Sequence, residues 1–414
     1  MSTQIEQFQA GQYQTGYEYR YFHPTHISGA WMWQDASINH LLEKAAVKLG
    51  ELNSFSRLIP NLDLFIQLHV TKEAVVSSRI EGTQTNMQQA LLPKHDISPE
   101  LRDDWQEVQN YIRAMNQAIA DLAQLPLSSR LLKQTHQILL DGVRGEHKLP
   151  GEFRSSQNWI GGRSLADATF IPPHHQYVGD LMSDLEHFLH DTHNPVPALI
   201  KIAIAHYQFE TIHPFLDGNG RIGRLMITLF LVEQNILSQP LLYLSRFFEQ
   251  DKGLYYDNLM RVRQKNDLVQ WIKYFLVGIE QTAREAVENL TQIMALKART
   301  DVMVAQLGRR SPSAHSLMNA LYKNPVISVE GAQKACALKS HKAANELVAV
   351  LVDKGILVEI TGQTRNRIFL FEQYVEAFGQ WWGIVSIVTE SAYCQMVIPY
   401  KLNKLRANFV GMLK

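Results

Sequence analysis

The sequence HPFLDGNGRIGR, residues 213–224, combines residue types that can bind phosphate and move a proton. Glycine adopts left-handed backbone angles at little cost, so the amides of Gly218, Asn219 and Gly220 can converge on phosphate oxygens. A helix that begins near Arg221 would add its free amides and the positive end of its dipole. The segment therefore predicts an anion-binding loop at the start of a helix.

Four other side chains of this segment suit phosphoryl chemistry. The ordinary pKa of a histidine such as His213 suits proton abstraction near neutral pH. Asp217 offers the hard oxygen ligand that Mg²⁺ takes beside substrate phosphates. Arg221 and Arg224 are three residues apart, so they share a helical face from which both can contact phosphates. The alternative is a polar loop between two helices, with a glycine turn and surface arginines.

Every fixed position of the Fic family signature, H-x-F-x-[D/E]-G-N-G-R-x-x-R, is matched in this segment, which therefore resembles that family's active-site motif. The resemblance implies AMPylation, the transfer of AMP from ATP to a Ser, Thr or Tyr hydroxyl of a target protein or of the chain itself. It implies that His213 is the catalytic base, that Asp217 holds Mg²⁺ and that Phe215 anchors the loop. The residues implied to bind the nucleotide here are Gly218, Asn219, Gly220, Arg221, Gly223 and Arg224.

A second motif, SSRIEG at residues 77–82, follows a stretch of helical character. Gly82 is a natural helix C-cap, which would leave Glu81 in the last turn, where the helix dipole disfavours an anion. The motif matches the family's inhibitory pattern [S/T]-x-x-x-E-[G/N] at Ser77, Glu81 and Gly82. The resemblance implies that Glu81 pairs with Arg224 and blocks its grip on the nucleotide. The alternative is an exposed glutamate paired with a neighbouring cation.

Two further segments are implied to lie near the nucleotide. Residues 155–160 and 169–172 are short extended runs on either side of a glycine pair, which predicts a β-hairpin whose open edge can pair with a target. By resemblance this hairpin is the family's flap. The residues implied to contact the nucleotide are Asn158, Trp159, Ile160 and Gly161 of the flap, and Tyr255 and Tyr256. A plain surface hairpin and core tyrosines are the alternatives.

The composition predicts a soluble cytoplasmic protein. Forty basic and forty acidic residues give a formal net charge of zero, so nothing attracts the chain globally to nucleic acid or to an anionic membrane. Two cysteines provide no disulfide framework and fit a reducing compartment. The first residues lack the pattern of a signal peptide, and no apolar run reaches the length of a membrane span.

The predicted fold is mostly α, with a Fic-type helical core, a β-hairpin flap and a C-terminal α+β winged-helix domain. Residues 1–36 are expected to form an irregular arm. The predicted divisions are an N-terminal region with the inhibitory helix, the catalytic core, the winged helix and a tail of unknown role, at residues 1–115, 116–298, 299–372 and 373–414.

The predicted winged helix carries little excess positive charge. Seven Lys and Arg stand against five Asp and Glu over residues 313–372, whereas phosphate-binding faces usually carry a clear basic stripe. DNA binding is therefore possible but not favoured over protein recognition or a homodimer contact. The side chains that would face DNA are His341, Lys342, Asn345, Arg365 and Arg367.

Three functions compete. The favoured one is a protein adenylyltransferase that is inhibited by Glu81. The second is an enzyme that uses Glu81 to position water and removes AMP from the target. The third is a winged-helix DNA-binding regulator that senses nucleotide, and His213 argues against it because a sensor needs no base.

Overall fold

The structure is a computed structural model of the 414-residue chain and describes residues 2–59, 61–194 and 196–378. The greater part of the predicted tail, from residue 379 onward, lies outside the described residues. None of the helices in the described part is long and apolar enough to cross a membrane.

The N-terminal arm contains strands, so the prediction of an irregular arm is wrong. Its strands are β1 (Ser2–Gln4), β2 (Gly11–Thr15), β3 (Arg20–Pro24) and β4 (Ala30–Met32). Strands β1 and β4 pair in parallel, and β2 and β3 form an antiparallel hairpin. Phe22 and Trp31 are buried, so the aromatic residues of the arm anchor it to the body.

The body is built of helices, as the sequence predicts. They are α1 (Ala36–Leu58), α2 (Asp63–Ile80), α3 (Met87–Leu91), α4 (Arg102–Asp121), α5 (Ser129–Leu139), α6 (Val178–His190), α7 (Ala198–Ile212), α8 (Asn219–Glu233), α9 (Ser245–Gln250), α10 (Lys252–Lys265) and α11 (Leu268–Ala305).

Helices α7 and α8 lie at the centre of this body. Every residue of α7 from Leu199 to Ile212 is buried. Most of α8 is buried as well. A loop held between two such helices has little freedom, which is what a preorganised site requires.

Two of the predicted divisions fall inside continuous helices and are wrong in position. The division at 115/116 lies within α4, and the division at 298/299 lies within α11. Helix α11 is 38 residues long and continues to Ala305. The polar run GRRSPS, residues 308–313, follows the end of this helix and leads into the next one.

The C-terminal domain, residues 311–378, has the predicted order of three helices followed by a β-hairpin, with one extra strand. Its elements are α12 (Ser311–Lys323), β5 (Val326–Ser328), α13 (Val329–Ala335), α14 (His341–Asp353), β6 (Val358–Glu359), β7 (Ile368–Leu370) and α15 (Glu372–Glu376). The sheet order is β5-β7-β6, with both pairs antiparallel. This order agrees with a winged helix.

Candidate active site

The loop between α7 and α8 begins and ends on residues with left-handed backbone angles. His213 is the C-cap of α7 with φ +50°, and Gly218 precedes α8 with φ +73°. Left-handed angles are uncommon for a histidine and cost free energy unless the surroundings hold them. The loop therefore needs side chains that fix its backbone.

Two asparagine side chains fix it. The amide of Asn219 accepts a hydrogen bond from the Phe215 N–H at 2.8 Å and donates to the Phe215 carbonyl at 2.8 Å. Asn158 of the flap donates to the carbonyls of Phe215 at 2.9 Å and of His213 at 3.2 Å. Both side chains therefore hold the loop, and the nucleotide contact predicted for Asn158 stays a prediction.

His136 of α5 also supports the loop and was missed by the sequence analysis. Its ring stacks on Phe215 with 3.9 Å between centroids. Its Nδ1 accepts from the Gly151 N–H at 2.9 Å, so its Nε2–H donates to the Asp217 carbonyl at 3.0 Å. Phe215 is fully buried, as an anchor residue should be.

A buried arginine, Arg154, contacts the backbone at His213, and the sequence analysis did not identify it. Its guanidinium donates to the carbonyls of His213 at 3.0 Å and of Ile212 at 3.2 Å. Burial, followed by the positive charge of Arg154, lowers the pKa of His213 to about 3. The imidazole is therefore neutral at neutral pH, which is the form that accepts a proton, and the burial that lowers its pKa also makes it a weaker base than an exposed histidine.

Asp217 presents a carboxylate at the entrance of the helix. Its side chain is 44% exposed, although its Oδ1 accepts from the Gly218 N–H at 2.6 Å. No group of three or more His, Cys, Asp or Glu side chains in the described ranges is placed to hold a metal. The site nonetheless fits Mg²⁺, which commonly binds one carboxylate together with substrate phosphates and water.

Arg221, the first arginine of the motif, is held by α4. Its guanidinium lies 3.3 Å from Glu107 Oε2, while Glu107 Oε1 lies 2.8 Å from Arg144 Nε. The same guanidinium is 3.5 Å from Asp217 Oδ1. Arg221 is thus oriented at the entrance to α8 by a carboxylate that no sequence motif indicated.

Arg224, the second arginine, is held by the residues of the second motif. Its Nε donates to Ser77 Oγ at 2.9 Å, and one terminal nitrogen donates to the Ser77 carbonyl at 2.8 Å. The same nitrogen lies 2.7 Å from Glu81 Oε1. Glu81 caps the end of α2, and Gly82 follows with φ +105°, so the predicted helix end is found.

The Glu81 carboxylate also covers the predicted anion site. A Cβ atom placed on Gly220 would lie only 2.2 Å from Glu81 Oε1, so the carboxylate sits directly against the first turn of α8. Burial acts to raise the pKa of Glu81, but the guanidinium groups of Arg224 and Arg221 hold it below its ordinary value. A charged carboxylate therefore lies where the helix end would attract a phosphate.

Gly223 lies about one helical turn after Gly220, where α8 packs against α7. A Cβ atom there would approach Glu210 Oε1 to 2.3 Å and Phe209 Cδ1 to 3.0 Å. The glycine therefore allows α7 and α8 to pack closely, and the nucleotide contact predicted for it stays a prediction.

Gly223→Ala is expected to lower the free energy of unfolding by about 1–3 kcal/mol, because the added methyl group overpacks the contact between α7 and α8. Urea denaturation measures the change. Gly179→Ala is the matched control, since Gly179 lies in α6 with nothing within 4 Å of a Cβ atom. Equal stability of the two variants would contradict the packing role.

The tyrosine pair divides between core and surface. Tyr255 is buried and its hydroxyl lies 3.0 Å from His206 Nε2, while His206 Nδ1 contacts the Gly223 carbonyl. This position favours the core alternative for Tyr255, and its contact with the nucleotide stays a prediction. Tyr256 is partly exposed, and its contact with the nucleotide stays a prediction.

The flap is shorter than predicted and one edge is partly covered. Ile160 and Phe170 form a single antiparallel bridge instead of extended strands. The Phe22 N–H of β3 donates to the Ile171 carbonyl at 2.9 Å. The N-terminal arm therefore already occupies one hydrogen-bonding position on the flap edge that was predicted to be open. Trp159 is 40% exposed. Nucleotide contacts of Trp159, Ile160 and Gly161 stay predictions.

Two family models match the chain, and together they include both motifs. The Fic/DOC family N-terminal model matches residues 39–120, and the Fic/DOC family model matches residues 126–231. The chain thus carries the two domains that these Fic/DOC family models describe, and the second of them contains the loop between α7 and α8.

Curated relatives match a smaller part of the chain. Protein adenylyltransferase Fic of Drosophila virilis is 27% identical over 185 residues, which are 44% of this chain and 34% of that protein. Protein adenylyltransferase fic-1 of Caenorhabditis briggsae is 31% identical over 133 residues, which are 29% of this chain and 25% of that protein. The chain therefore spans only about a third or less of the length of these relatives.

A solved structure shares the fold. The Fic family protein of Desulfovibrio desulfuricans G20 aligns with a TM-score of 0.51 and 21% identity, over 83% of this chain and 98% of that one.

Proposed function

We propose that this chain is a protein adenylyltransferase, which transfers AMP from ATP to a hydroxyl of a target protein or of itself. The oxygen of the hydroxyl attacks the α-phosphorus as its proton passes to His213. The bond from the α-phosphorus to the bridging oxygen breaks, and pyrophosphate leaves. A neutral His213 on a loop fixed by Asn158, Asn219 and Arg154 supports this assignment.

The contact of Glu81 with Arg224 and Gly220 is the observation that carries the proposal. A carboxylate at the entrance of α8 excludes an anion of similar size by charge and by volume. It also occupies one terminal nitrogen of Arg224 at 2.7 Å. We infer that the protein rests in an inhibited state in which the terminal phosphate of ATP lacks its partner. Displacement of Glu81 from this position would restore that partner.

Incubation with labelled ATP and a cell lysate tests the function. The wild type is expected to show weak labelling of itself and of targets, and Glu81→Gly strong labelling. No incorporation by either protein would remove adenylyl transfer as the function.

Removal of AMP is the second candidate. The Glu81 side chain remains 33% exposed although its partner Arg224 is 1% exposed, so it can orient a water beside the phosphate site. In that case Glu81→Gly would fail to clear AMP from a target that had already been modified.

Asp217→Ala is expected to weaken transfer and to raise the Mg²⁺ concentration that gives half-maximal rate. When bound, Mg²⁺ neutralises phosphate charge and orients the triphosphate, and Asp217 would hold it. Added Mg²⁺ should therefore recover part of the activity. The rate is measured over a series of Mg²⁺ concentrations. Asp191→Ala is the control, because Asp191 is the C-cap residue of α6. Transfer that is independent of metal would make Asp217 structural.

A further inference from the structure

A large polar cleft lies between the C-terminal domain and the N-terminal helices, away from the candidate active site. Its volume is about 1440 Å³, beyond the 300–1,000 Å³ usual for a small-molecule pocket. One wall is formed by α2, α3 and α4, with Gln67, Trp105 and Gln109 among the lining residues. The other wall is formed by β5, the start of α14 and the segment between β6 and β7.

Cations dominate the charge of this cleft. Lys323, Lys342 and Arg365 line it, are exposed, and make no ion pair within the described part of the chain. Two acidic residues line it as well: Glu330 lies 2.7 Å from Lys334 and is compensated, whereas Asp96 lies 3.4 Å from His95, which is charged only when protonated. The cleft is therefore suited to an anionic ligand.

The geometry does not favour duplex DNA as that ligand. A recognition helix must enter a major groove about 12 Å wide, so the space in front of it must be free. Here His341, Lys342 and Asn345 of α14 line the same cleft as Trp105 and Gln109 of α4. The residues that were predicted to face DNA thus face another part of the protein.

We propose that this cleft binds an extended acidic segment of a partner protein. Strand β5 stands at one end of the β5-β7-β6 sheet, and all three of its residues line the cleft. An extended chain can add to such a strand by main-chain hydrogen bonds. Its acidic side chains then meet Lys323, Lys342 and Arg365, which gives the site its selectivity for negative charge.

One wall of this cleft belongs to α2, the helix whose C-cap is Glu81. Gln67 and Thr71 of α2 line the cleft. Glu81, at the end of the same helix, lies about 21 Å beyond Gln67 at 1.5 Å per residue. Phe65 of α2 also packs on Tyr322 and Tyr374 of the C-terminal domain, with centroids 5.3 and 6.2 Å apart. Because α2 both lines the cleft and carries Glu81, we propose that occupancy of the cleft favours release of Glu81 from Arg224. This coupling rests on the proposed function.

Fluorescence anisotropy with a labelled ten-residue peptide of alternating Glu and Val tests the site on the full chain. The wild type is expected to bind this peptide, and to bind weakly or not at all the peptide with Gln in place of each Glu. Lys342→Glu and Arg365→Glu should each weaken binding by about fivefold or more, because attraction becomes repulsion. Lys354→Glu is the matched control, since Lys354 is exposed at the other end of α14. Equal thermal melting of the variants verifies folding.

Three results would overturn the site. They are tight binding of a duplex DNA in place of the peptide, no preference for the acidic peptide, and an equal loss of binding in Lys354→Glu. The labelling assay then tests the coupling separately: the acidic peptide should raise self-labelling of the wild type and leave Glu81→Gly unchanged. Binding without this rise would overturn the coupling alone, and absence of any labelling in Glu81→Gly would overturn the proposed function while leaving the site.

Discussion

His213→Ala, made in the active Glu81→Gly background, is expected to reduce AMP transfer by a factor of about 10²–10⁴, the usual contribution of a positioned general base. The structure provides the reason. His213 is held at a left-handed backbone position by Arg154 and Asn158, and its lowered pKa keeps the ring neutral. Incorporation of labelled AMP into the chain and into lysate proteins measures the effect.

ATP binding should survive this change, because the phosphate contacts come from the start of α8 and from the arginines. Equilibrium binding of a fluorescent ATP analogue provides the measurement. His190→Ala is a matched control, since His190 lies at the end of α6 and contacts the Leu127 carbonyl. Labelling by His213→Ala that equals the parent would remove the assignment of the base, and loss of ATP binding would show instead that His213 supports the loop.

Glu81→Gly is expected to raise AMP transfer by about 10- to 150-fold. A hydrogen bond to a charged group contributes about 1.5–3 kcal/mol, and each 1.4 kcal/mol corresponds to about tenfold in an equilibrium. The substitution removes the carboxylate from Arg224 and from the space above Gly220. Molecules that rested in the inhibited state then shift to the active state, so the fraction of active protein rises. Initial rates of self-labelling at fixed ATP concentration measure the rise.

Two further variants separate the regulatory role of Glu81 from a general loosening of α2. Glu81→Gln retains the size of the side chain and loses its charge, so its rate should lie between those of the wild type and Glu81→Gly. Arg224→Ala should be poor with or without Glu81, because it removes the proposed phosphate ligand itself. Activation by Glu81→Gly that persists in full in Arg224→Ala would contradict the pairing as the cause of inhibition.

The sequence by itself determined the local chemistry. The residues from His213 to Arg224 are contiguous, and their roles follow from residue type and from the glycines at the start of a helix. The end of α2 was also predictable, because a glycine after a helical stretch marks a C-cap and leaves Glu81 in the last turn. These inferences depend on interactions within a few residues of each other.

Only the tertiary structure decided which residues support that chemistry. Arg154 and His136 hold the loop and Glu107 orients Arg221, from three separate parts of the chain. No local pattern distinguishes these residues from surface residues of the same type. Only the tertiary structure also showed that Gly223 lies where α7 packs on α8 and that the buried Tyr255 of α10 contacts His206 of α7.

The same limit applies to the placement of Glu81 and to the cleft. Glu81 and Gly220 are brought together by the packing of α2 on α8, and Lys342 and Trp105 by the packing of the C-terminal domain on the N-terminal helices. Local sequence specifies backbone angles and helix faces through short-range sterics and hydrogen bonds. Which faces meet depends on the burial of apolar surface over the whole chain, which is non-directional and therefore not readable from any one segment.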